Sequence, residues 1–394
     1  MTRMTFTDEN RNLATATKAR RLSRLSVSVF FFMHGLCFSA WASRIPTVQI
    51  ALKIGVTELG MILLALPLGF FISLPFSGWM ISRLGSRQAT IVSAIIYSLS
   101  LLTLTICSST QQVMGGLFLF GFFANALNLS MNTQAVEVEK LYQRRLLSTF
   151  HGVWSIAGFT GAAIGAWSIG RSVSLFQHFA VISALFIIAV IIFARHLVKG
   201  VASEKRNEPF FILPEKGLLL LGSIAFCSAM IEGAMFDWTG VYFKDIVRTD
   251  QKFIGLGYAS FMVAMAAGRF CADSLTERLQ LKRVLIGSGI LITTGLLIAV
   301  VWPTMVPVTF AFILIGAGVS SVVPLVYSTA GRSKTMAAGT ALTAVASLGF
   351  VGFLIGPPLI GFVAGLASLK GSFLVLTISS AAVITMSSFI RHDR

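Results

Sequence analysis

The sequence is poor in charged residues, and this scarcity excludes a water-soluble fold. Only 12% of its 394 residues are Asp, Glu, Lys or Arg, whereas soluble globular domains carry about 25%. At the same time 55% of the residues are hydrophobic, and the mean hydropathy is +0.83. So few charges cannot cover a surface that faces water. The lipid bilayer is therefore the expected surrounding of most of the chain.

Acidic residues and cysteines are rare as well, and their pattern argues against a nucleic-acid-binding protein and against a metal site. The chain has 15 Asp and Glu against 31 Lys and Arg, for a net charge of +16. Nucleic-acid binding would need the basic residues on one continuous face, but here they form short clusters between apolar runs, so no nucleic-acid partner is expected. The cysteines lie in or beside apolar stretches without metal-ligand spacing: Cys37, Cys107, Cys227 and Cys271. We expect free, buried thiols, no metal site and no cofactor.

Apolar runs long enough to cross a bilayer recur along the whole chain. Each crossing needs about 20 apolar residues. Such runs lie at 25–49, 55–81, 88–107, 112–135, 148–170, 174–196, 217–243, 253–275, 284–302, 307–330, 335–366 and 371–390. The sequence therefore predicts an all-α membrane protein with twelve transmembrane helices.

The charges of the loops predict an orientation in the membrane. When alternate loops are assigned to opposite sides, most Lys and Arg residues, Arg269 among them, fall on the side that also holds both termini. The positive-inside rule makes that side cytoplasmic. We expect a multi-pass protein of the bacterial inner membrane with cytoplasmic N- and C-termini.

Weak internal similarity divides the predicted helices into two halves. Gly35-Leu-Cys-Phe-Ser-Ala-Trp41 in the first helix resembles Gly233-Ala-Met-Phe-Asp-Trp238 in the seventh. Arg83-Leu84 matches Arg278-Leu279, and the same offset separates Gly121 from Gly316. Such repeats are typical of transporters. The predicted organisation is a cytoplasmic tail (1–24), a six-helix bundle (25–197), a cytoplasmic linker (198–216) and a second, pseudo-symmetric six-helix bundle with a short tail (217–394).

The loop after the second predicted helix carries a motif. It reads Gly78-Trp-Met-Ile-Ser-Arg83-Leu-Gly85-Ser-Arg87 and resembles the signature loop of the major facilitator superfamily, Gly-x-x-x-Asp-Arg-x-Gly-x-Arg, although Ser82 replaces the acidic residue. In that family the loop helps to lock the outward-facing state. The resemblance therefore implies a gating role for Arg83, Gly85 and Arg87, and for Asp273 and Arg278 in the equivalent loop of the second half.

Further segments resemble a narrower branch of this family, the YbjJ/MosC-like group related to fucose permeases. They are His34-Gly35 with Trp41-Ala-Ser-Arg44-Ile-Pro46, His151-Gly-x-Trp154-Ser155, Glu232-Gly-x-x-x-Asp237-Trp238 and Gly356-Pro-Pro358. The resemblance covers nearly the whole chain. It implies the facilitator fold, a central cavity between the halves and alternating access, with sugar-like polyols as the nearest analogy for the solute.

Two acidic residues, Glu232 and Asp237, lie well inside a predicted span. A charge in the bilayer costs a few kcal/mol, so such residues usually face a cavity or a partner. Loss of hydration favours the neutral acid, which suits a proton-coupling carboxyl. The alternative is a carboxyl that hydrogen-bonds a neighbouring helix and does not titrate. His34 lies opposite Glu232 in the repeat and is predicted to bind solute or relay protons, unless it is simply satisfied inside the bundle.

The fourth predicted helix carries three asparagines on one face. Asn125, Asn128 and Asn132 follow an i, i+3, i+7 spacing. Amides are poorly suited to acyl chains, so these side chains bind neighbouring helices or line a wet cavity. Relatives in the resembling family often carry an acidic residue near the place of Asn128, which shifts the predicted proton site towards Glu232. The predicted solute site comprises Asn125, Asn128, Asn132, their counterparts in the repeat Ser320 and Tyr327, and the repeated tryptophans Trp41 and Trp238.

Three more residues are assigned to gates. Arg44 at the outer end of the first helix and Glu58 at the start of the second are candidates for a pair that closes the outer mouth, the alternative being two ordinary interfacial charges. His151 begins the fifth helix near Glu137 and Glu139 and is assigned a gating or packing role.

Together these features predict a monomeric secondary transporter that imports a small polar solute with protons. An exporter of amphipathic compounds is the alternative within transport, and a non-transporting membrane receptor is the alternative outside it. An enzyme is not expected, because the sequence shows no Ser/His/Asp set, metal-ligand cluster or phosphate-binding loop.

Overall fold

A computed structural model describes residues 6–143, 146–199, 216–332 and 338–390; within these ranges the side chains of residues 6–16, 148, 216, 270, 272–278, 338–340, 342 and 343 are not described. The described chain is all-α. Its helices are α1 (Phe6–Leu52), α2 (Val56–Leu63), α3 (Ala65–Thr103), α4 (Thr110–Tyr142), α5 (Leu147–Gly170), α6 (Leu175–Phe193), α7 (Lys216–Tyr242), α8 (Ile254–Leu279), α9 (Leu281–Val301), α10 (Met305–Ala330), α11 (Ala338–Leu366) and α12 (Leu369–Ser388).

The described residues contain ten helices that are long and apolar enough to cross a membrane. The predicted count of twelve spans differs from this in two places. Predicted spans two and three lie together in the continuous helical stretch Val56–Thr103, and α8 at the eighth span contains side chains outside the described set. The all-helical membrane architecture is established, and the count of twelve stays a prediction.

The chain reverses its direction inside α3. Towards its start, Leu66 and Phe70 contact Gly121 and Asn125, so that α3 and α4 run parallel there. Further along, the ring of Tyr97 stacks on Phe120 and Ser86 bonds Gln134, which is an antiparallel order. Between these stretches lies Gly85, whose φ of 78° departs from the helix. Glycine adopts positive φ without the steric cost of a Cβ. The predicted loop is therefore a kink at one glycine, not a separate segment.

Serine caps mark one end of the molecule. The side chains of Ser109, Ser174 and Ser368 accept hydrogen bonds from the first turns of α4, α6 and α12, which satisfies amide groups that lack an intrahelical partner. These three helices all begin at the end that holds the connections 53–55, 104–109, 171–174, 243–253, 302–304 and 367–368. We call it the distal end, and we call the opposite end, where α1 begins and α12 stops, the terminal end.

The helices pack mainly within two sequence halves. In the first half α4 packs on α3 and α5 on α1; in the second half α11 packs on α7, and both α8 and α9 pack on α10. One contact is repeated with the offset seen in the sequence: Gly121 lies against the backbone of Leu66, and Gly316 lies against the backbone of Phe261. The halves meet chiefly where α5 packs on α8 and α2 on α11. The exact division at 25–197 and 217–394 stays a prediction, and residues 200–215 of the predicted linker lie outside the described residues.

Aromatic side chains fill the centre between the halves. The ring of Phe236 on α7 contacts five other rings edge-on, and these rings come from both halves: Phe38, Trp154, Tyr258, Phe261 and Phe353. Edge-on packing of this kind stabilises aromatic clusters. The prediction of buried thiols holds for Cys37, but Cys271 is exposed on α8.

Candidate functional site

A cavity of about 480 Å³ lies between α3, α4, α7, α10 and α11. It is therefore lined by both halves of the chain. Most of its wall is apolar, and the contributing side chains include Phe70, Phe71, Leu74, Leu129, Val323, Phe350 and Phe353. Its polar side chains are Asn125, Asn128, Glu232, Tyr327 and Ser347. A mostly apolar wall with a few converging polar groups is the usual composition of a small-molecule site.

The carboxylate at the cavity wall is paired with a partly buried guanidinium. Arg269 Nη2 on α8 donates to Glu232 Oε1 at 2.8 Å, and the two side chains are 22% and 13% exposed. Glu232 lines the cavity, whereas Arg269 is not among the lining residues. The positive charge thus stands behind the negative one, and the pair as a whole is neutral, which lowers the cost of both charges away from water.

Arg269 also reaches across to the first half. Its Nη1 donates to Ser155 Oγ on α5 at 2.9 Å, and its guanidinium carbon lies 5.9 Å from the ring centroid of Trp154, at cation–π distance. One guanidinium therefore joins the cavity residue Glu232 in the second half to two neighbouring side chains in the first.

Hydrogen bonds continue from Trp154 to His34. Trp154 Nε1 donates to His34 Nδ1 at 2.8 Å. Because an indole N–H can only donate, Nδ1 is the unprotonated nitrogen, and Nε2–H donates to the backbone oxygen of Ala124 at 3.2 Å. His34 is 5% exposed and stacks on Tyr97. Both ring nitrogens are thus engaged within the first half, and His34 is not among the cavity-lining residues.

The three asparagines of α4 have different surroundings. Asn125 Nδ2 donates to the Phe70 backbone oxygen at 3.0 Å and to Ser73 Oγ at 2.8 Å, so that it ties α4 to α3. Asn132 Nδ2 donates to the backbone and side-chain oxygens of Asn128 at 2.8 and 3.0 Å. Asn125 and Asn128 line the cavity and Asn132 does not. Two of the three asparagines of the predicted face therefore line the cavity, and the third, Asn132, does not.

Of the predicted counterparts on α10, only Tyr327 reaches the cavity. Ser320 Oγ donates to the Ala317 backbone oxygen within its own helix. Trp238 Nε1 donates to the Pro357 backbone oxygen at 3.0 Å, and Trp41 is 1% exposed. Both tryptophans are packed between helices and do not line the cavity. The structure thus brings Asn125, Asn128, Glu232 and Tyr327 together and leaves the other predicted solute ligands outside.

Asp237 differs from Glu232 although both lie on α7. Within the described part of the chain, no hydrogen bond or ion pair involving its carboxyl is found. It is absent from the cavity wall, and it is one position from the two buried aromatic residues Phe236 and Trp238. Of these two carboxyls on α7, Glu232 has a positively charged partner and Asp237 has none within the described residues.

The predicted gating residues of the signature loop lie at the terminal end. Arg87 Nε donates to the Ala194 backbone oxygen at 3.2 Å, which ties α3 to the end of α6. Arg83 is exposed, and Gly85 forms the kink. His151 lies edge-on to Phe31, while Glu139 accepts the backbone N–H groups of Leu146 and Leu147 at the start of α5. The side chains of Asp273 and Arg278 lie outside the described residues.

Arg44 and Glu58 do not pair with one another in this structure. Arg44 donates from Nε to His178 Nδ1 at 3.2 Å and from Nη2 to the Val173 backbone oxygen at 2.8 Å. Glu58 Oε1 accepts a hydrogen bond from Thr110 Oγ1 at 2.9 Å. The candidate pair is therefore not formed, and each side chain binds near the start of a different neighbouring helix within the first half.

Other contacts close the distal end. A Cβ added at Gly60 on α2 would lie 2.7 Å from the Cα of Gly361 on α11, so the two backbones touch. Lys244 Nζ donates to Gln49 Oε1 at 2.6 Å between the end of α1 and the segment after α7. Both contacts join the first half to the second. The two halves are therefore in direct contact at the distal end.

Sequence reasoning missed Arg269 and Trp154 as site residues. The positive-inside rule treats Arg269 as a loop charge, because it sums all basic residues near a span. It lies inside the predicted span 253–275, and an intramembrane cation is itself a signal for a buried partner. Trp154 carried no signal other than the resemblance, because an indole is common in membrane helices.

Comparisons with known proteins agree over nearly the whole chain. The sequence profile of the Major Facilitator Superfamily matches residues 27–333. An uncharacterized transporter of this type from Yersinia pestis is 29% identical over 366 residues, 91% of this chain and 94% of the relative. The membrane protein MosC from Rhizobium meliloti is 28% identical over 379 residues, 95% of this chain and 91% of MosC. A solved structure of a bacterial homologue of the human lysosomal transporter Spinster, inward-facing and unoccupied, has a TM-score of 0.71 at 10% identity and covers 94% of this chain and 96% of its own.

Proposed function

Because the chain belongs to the major facilitator superfamily, a family of multi-pass membrane transporters of small-molecule solutes, we propose that it moves a small solute by alternating access through the cavity between its halves. The observation that carries the proposal is the position of that cavity: residues of α3 and α4 form one wall and residues of α7, α10 and α11 the other. A movement of one half against the other changes such a cavity's access without dismantling either half.

The wall composition supports an uncharged solute with one apolar face. Four phenylalanines, Phe70, Phe71, Phe350 and Phe353, offer flat apolar surface. Asn128, Glu232 and Tyr327 supply hydrogen-bonding groups to the wall. Because Arg269 already neutralises Glu232, a charged solute would lose hydration without finding an opposite net charge. A ring-shaped compound with several hydroxyl or N–H groups fits these requirements better than a linear polyol.

We also propose which side of the membrane the cavity serves. The positive-inside rule places the terminal end in the cytoplasm of a bacterium, so the closed distal end faces outwards. On this proposal the protein is a monomer of the inner membrane in an inward-facing arrangement.

Proton coupling is proposed for α7, with Asp237 as the better-placed carboxyl. A carboxylate without a partner is costly away from water, whereas a carboxylic acid is much less so. Glu232 already has Arg269 as its partner, and both nitrogens of His34 are engaged. This division assigns solute contact to Glu232 and proton exchange to Asp237, with inward transport driven by the proton gradient.

The apolar wall also favours a second candidate, export of an amphipathic compound. Export and import use the same cavity. In import the solute moves inwards together with the protons, whereas in export it moves outwards as the protons move inwards. The direction of transport therefore has to be measured and separates the two candidates.

The test begins with purified protein and a thermal-shift screen of nucleosides, hexoses, inositols, aromatic glycosides and amino acids. A compound that raises the unfolding temperature is then followed in proteoliposomes with an imposed pH gradient. We expect accumulation in wild type and in Glu137→Gln, a control at a half-buried carboxylate outside the cavity wall. We expect loss of gradient-driven accumulation with retained exchange in Asp237→Asn. Accumulation unchanged in Asp237→Asn would remove the proton assignment, and a pH gradient that expels the compound would establish export.

A further inference from the structure

Arg269 has partners in both halves of the molecule, and they differ in kind. In the second half its partner is the Glu232 carboxylate beside the cavity. In the first half its partners are the neutral hydroxyl of Ser155 and the ring face of Trp154. Charge compensation therefore comes from one half, and the remaining contacts come from the other.

The guanidinium is not fully satisfied by these contacts. Its Nε–H is buried and has no acceptor within the described part of the chain. A buried cation that loses its carboxylate partner must rely on whatever neutral groups remain. For Arg269 these groups are Ser155 and Trp154, which belong to the opposite half.

We propose that Arg269 couples the cavity to the packing of the two halves, acting as a positioning residue between Glu232 and α5. When Glu232 is taken up by a bound solute donor or neutralised, the guanidinium depends more strongly on Ser155 and Trp154. That dependence stabilises the arrangement in which α5 and α8 are in contact as seen here. When the Glu232 carboxylate is ionised and has no bound solute, the guanidinium divides its contacts between Glu232 and the Ser155 and Trp154 side chains, and the halves separate more readily.

The chemistry of arginine suits this role and that of lysine does not. The planar guanidinium carries five N–H donors in a fixed fork, so that it bonds Glu232 and Ser155 at once and stacks on Trp154. The ammonium group of lysine is a compact charge on a flexible chain. It would not keep the contacts with Glu232, Ser155 and Trp154 at the same time. The coupling rests on the proposed function, because it presupposes that the cavity of Glu232 binds the solute.

The test measures the distance between the halves and requires no solute. Spin labels are placed at the exposed distal positions Ala51→Cys and Gln251→Cys in a background where the native cysteines are alanine. Double electron–electron resonance then gives the ratio of distal-closed to distal-open molecules. Glu232→Gln mimics the neutralised carboxyl and is expected to raise that ratio, whereas Arg269→Gln is expected to lower it, each by fivefold or more, the lower range of allosteric couplings.

Conservative and matched variants separate coupling from mere structural support. Arg269→Lys is expected to regain the thermal stability of wild type but not its distance ratio, and Arg283→Lys on the exposed face of α9 should change neither. Should Arg269→Gln not be recovered folded, Ser155→Ala replaces it, with a smaller shift in the same direction. Shifts of equal sign in the Glu232 and Arg269 variants, no shift in Ser155→Ala, or a wild-type ratio in Arg269→Lys would overturn the proposal.

The two proposals fail separately. A protein that transports a solute but shows unchanged distances loses the coupling role of Arg269 and keeps the proposed function. A protein whose distances shift as expected but that moves no solute keeps the Arg269 link between the halves and loses the proposed transport through the cavity.

Discussion

The two halves of the chain are joined in different ways at the distal end and at the level of the cavity. At the distal end α2 and α11 touch through Gly60 and Gly361, where side chains are absent. At the cavity level the halves are joined by a long charged side chain, Arg269, through hydrogen bonds to Glu232 and Ser155. The first contact depends on close backbone approach, and the second depends on charge and hydrogen-bond geometry.

This difference separates two tasks that one interface has to perform. Backbone contact between small residues gains dispersion energy and is indifferent to ligands or protons. A buried ion pair responds strongly when one partner is neutralised, because the other charge is then left without compensation. The distal contact is therefore suited to closing the cavity, and the central pair to sensing what occupies it.

The largest effect is expected from breaking the central pair on one side only. Glu232→Gln leaves the partly buried Arg269 without an opposite charge. The expected loss of stability is about 3 kcal/mol, the lower end for broken buried pairs, because both side chains retain some exposure. Thermal unfolding in detergent should show this loss for either single variant.

The double variant Glu232→Gln/Arg269→Gln is the control for that measurement. Removing both charges should recover more than half of the lost stability, since no unpaired charge is left. Additive losses in the double variant would show that the two side chains act independently, and the contrast between the two levels of the interface would then be lost.

At the distal end, Gly361→Leu should prevent closure. The added side chain meets the backbone of Gly60, and overpacking of this kind costs about 1–3 kcal/mol. Distances between labels at Ala51→Cys and Gln251→Cys should shift towards the open population. Gly287→Leu on α9 is the matched control, because nothing lies within 4 Å of a Cβ there. Equal behaviour of the two variants would mean that the distal contact does not hold the halves together.

A smaller effect is expected from the amide at the cavity wall. Asn128→Leu removes a hydrogen-bonding group while retaining bulk, so the affinity for a compound found in the screen should fall by about 0.5–1.5 kcal/mol, the usual contribution of one hydrogen bond. Isothermal titration measures the change. Asn132→Leu, one turn further and outside the cavity wall, should affect stability more than affinity, and the reverse result would place the solute elsewhere.

The smallest effect is expected at the rim of the distal end. Lys244→Met removes the hydrogen bond to Gln49 and the contact with Asp245. Partly exposed pairs contribute about 0–1 kcal/mol, so the label distances should change little and the change should fade further at high salt. A shift as large as that of Gly361→Leu would show that polar contacts, not backbone packing, close this end.

Much of the fold was predictable because lipid imposes strong local requirements. Runs of apolar residues predicted helices throughout the described chain, and the positions of Glu232, Asn125 and Asn128 predicted a polar interior. The break at Gly85 was predicted as a loop because the motif resembles one, but its form as a kink within α3 depends on the single φ of 78°. Hydropathy alone does not distinguish these, since both leave the apolar runs unchanged.

The partners of the polar residues were less predictable. The proximity of Arg44 and Glu58 at one membrane face leaves open whether they pair or are two ordinary interfacial charges. In the structure Arg44 binds Val173 and His178 instead. Trp41 and Trp238 were grouped with the solute site by their place in the repeat, yet both are packed between helices away from it. A repeat preserves the position of a residue along its helix but not the direction of its side chain towards a cavity.

The sequence by itself determined that this protein is a helical membrane protein that resembles the major facilitator superfamily. Both conclusions follow from contiguous residues, the first through the cost of dehydrating polar groups in lipid and the second through the spacing of motifs. Only the tertiary structure decided that Glu232 meets Arg269 and that Arg269 reaches Ser155, since these residues come from α7, α8 and α5. Helix packing brings charged residues that are far apart in the sequence into contact, and no local pattern specifies which of several buried groups will be neighbours.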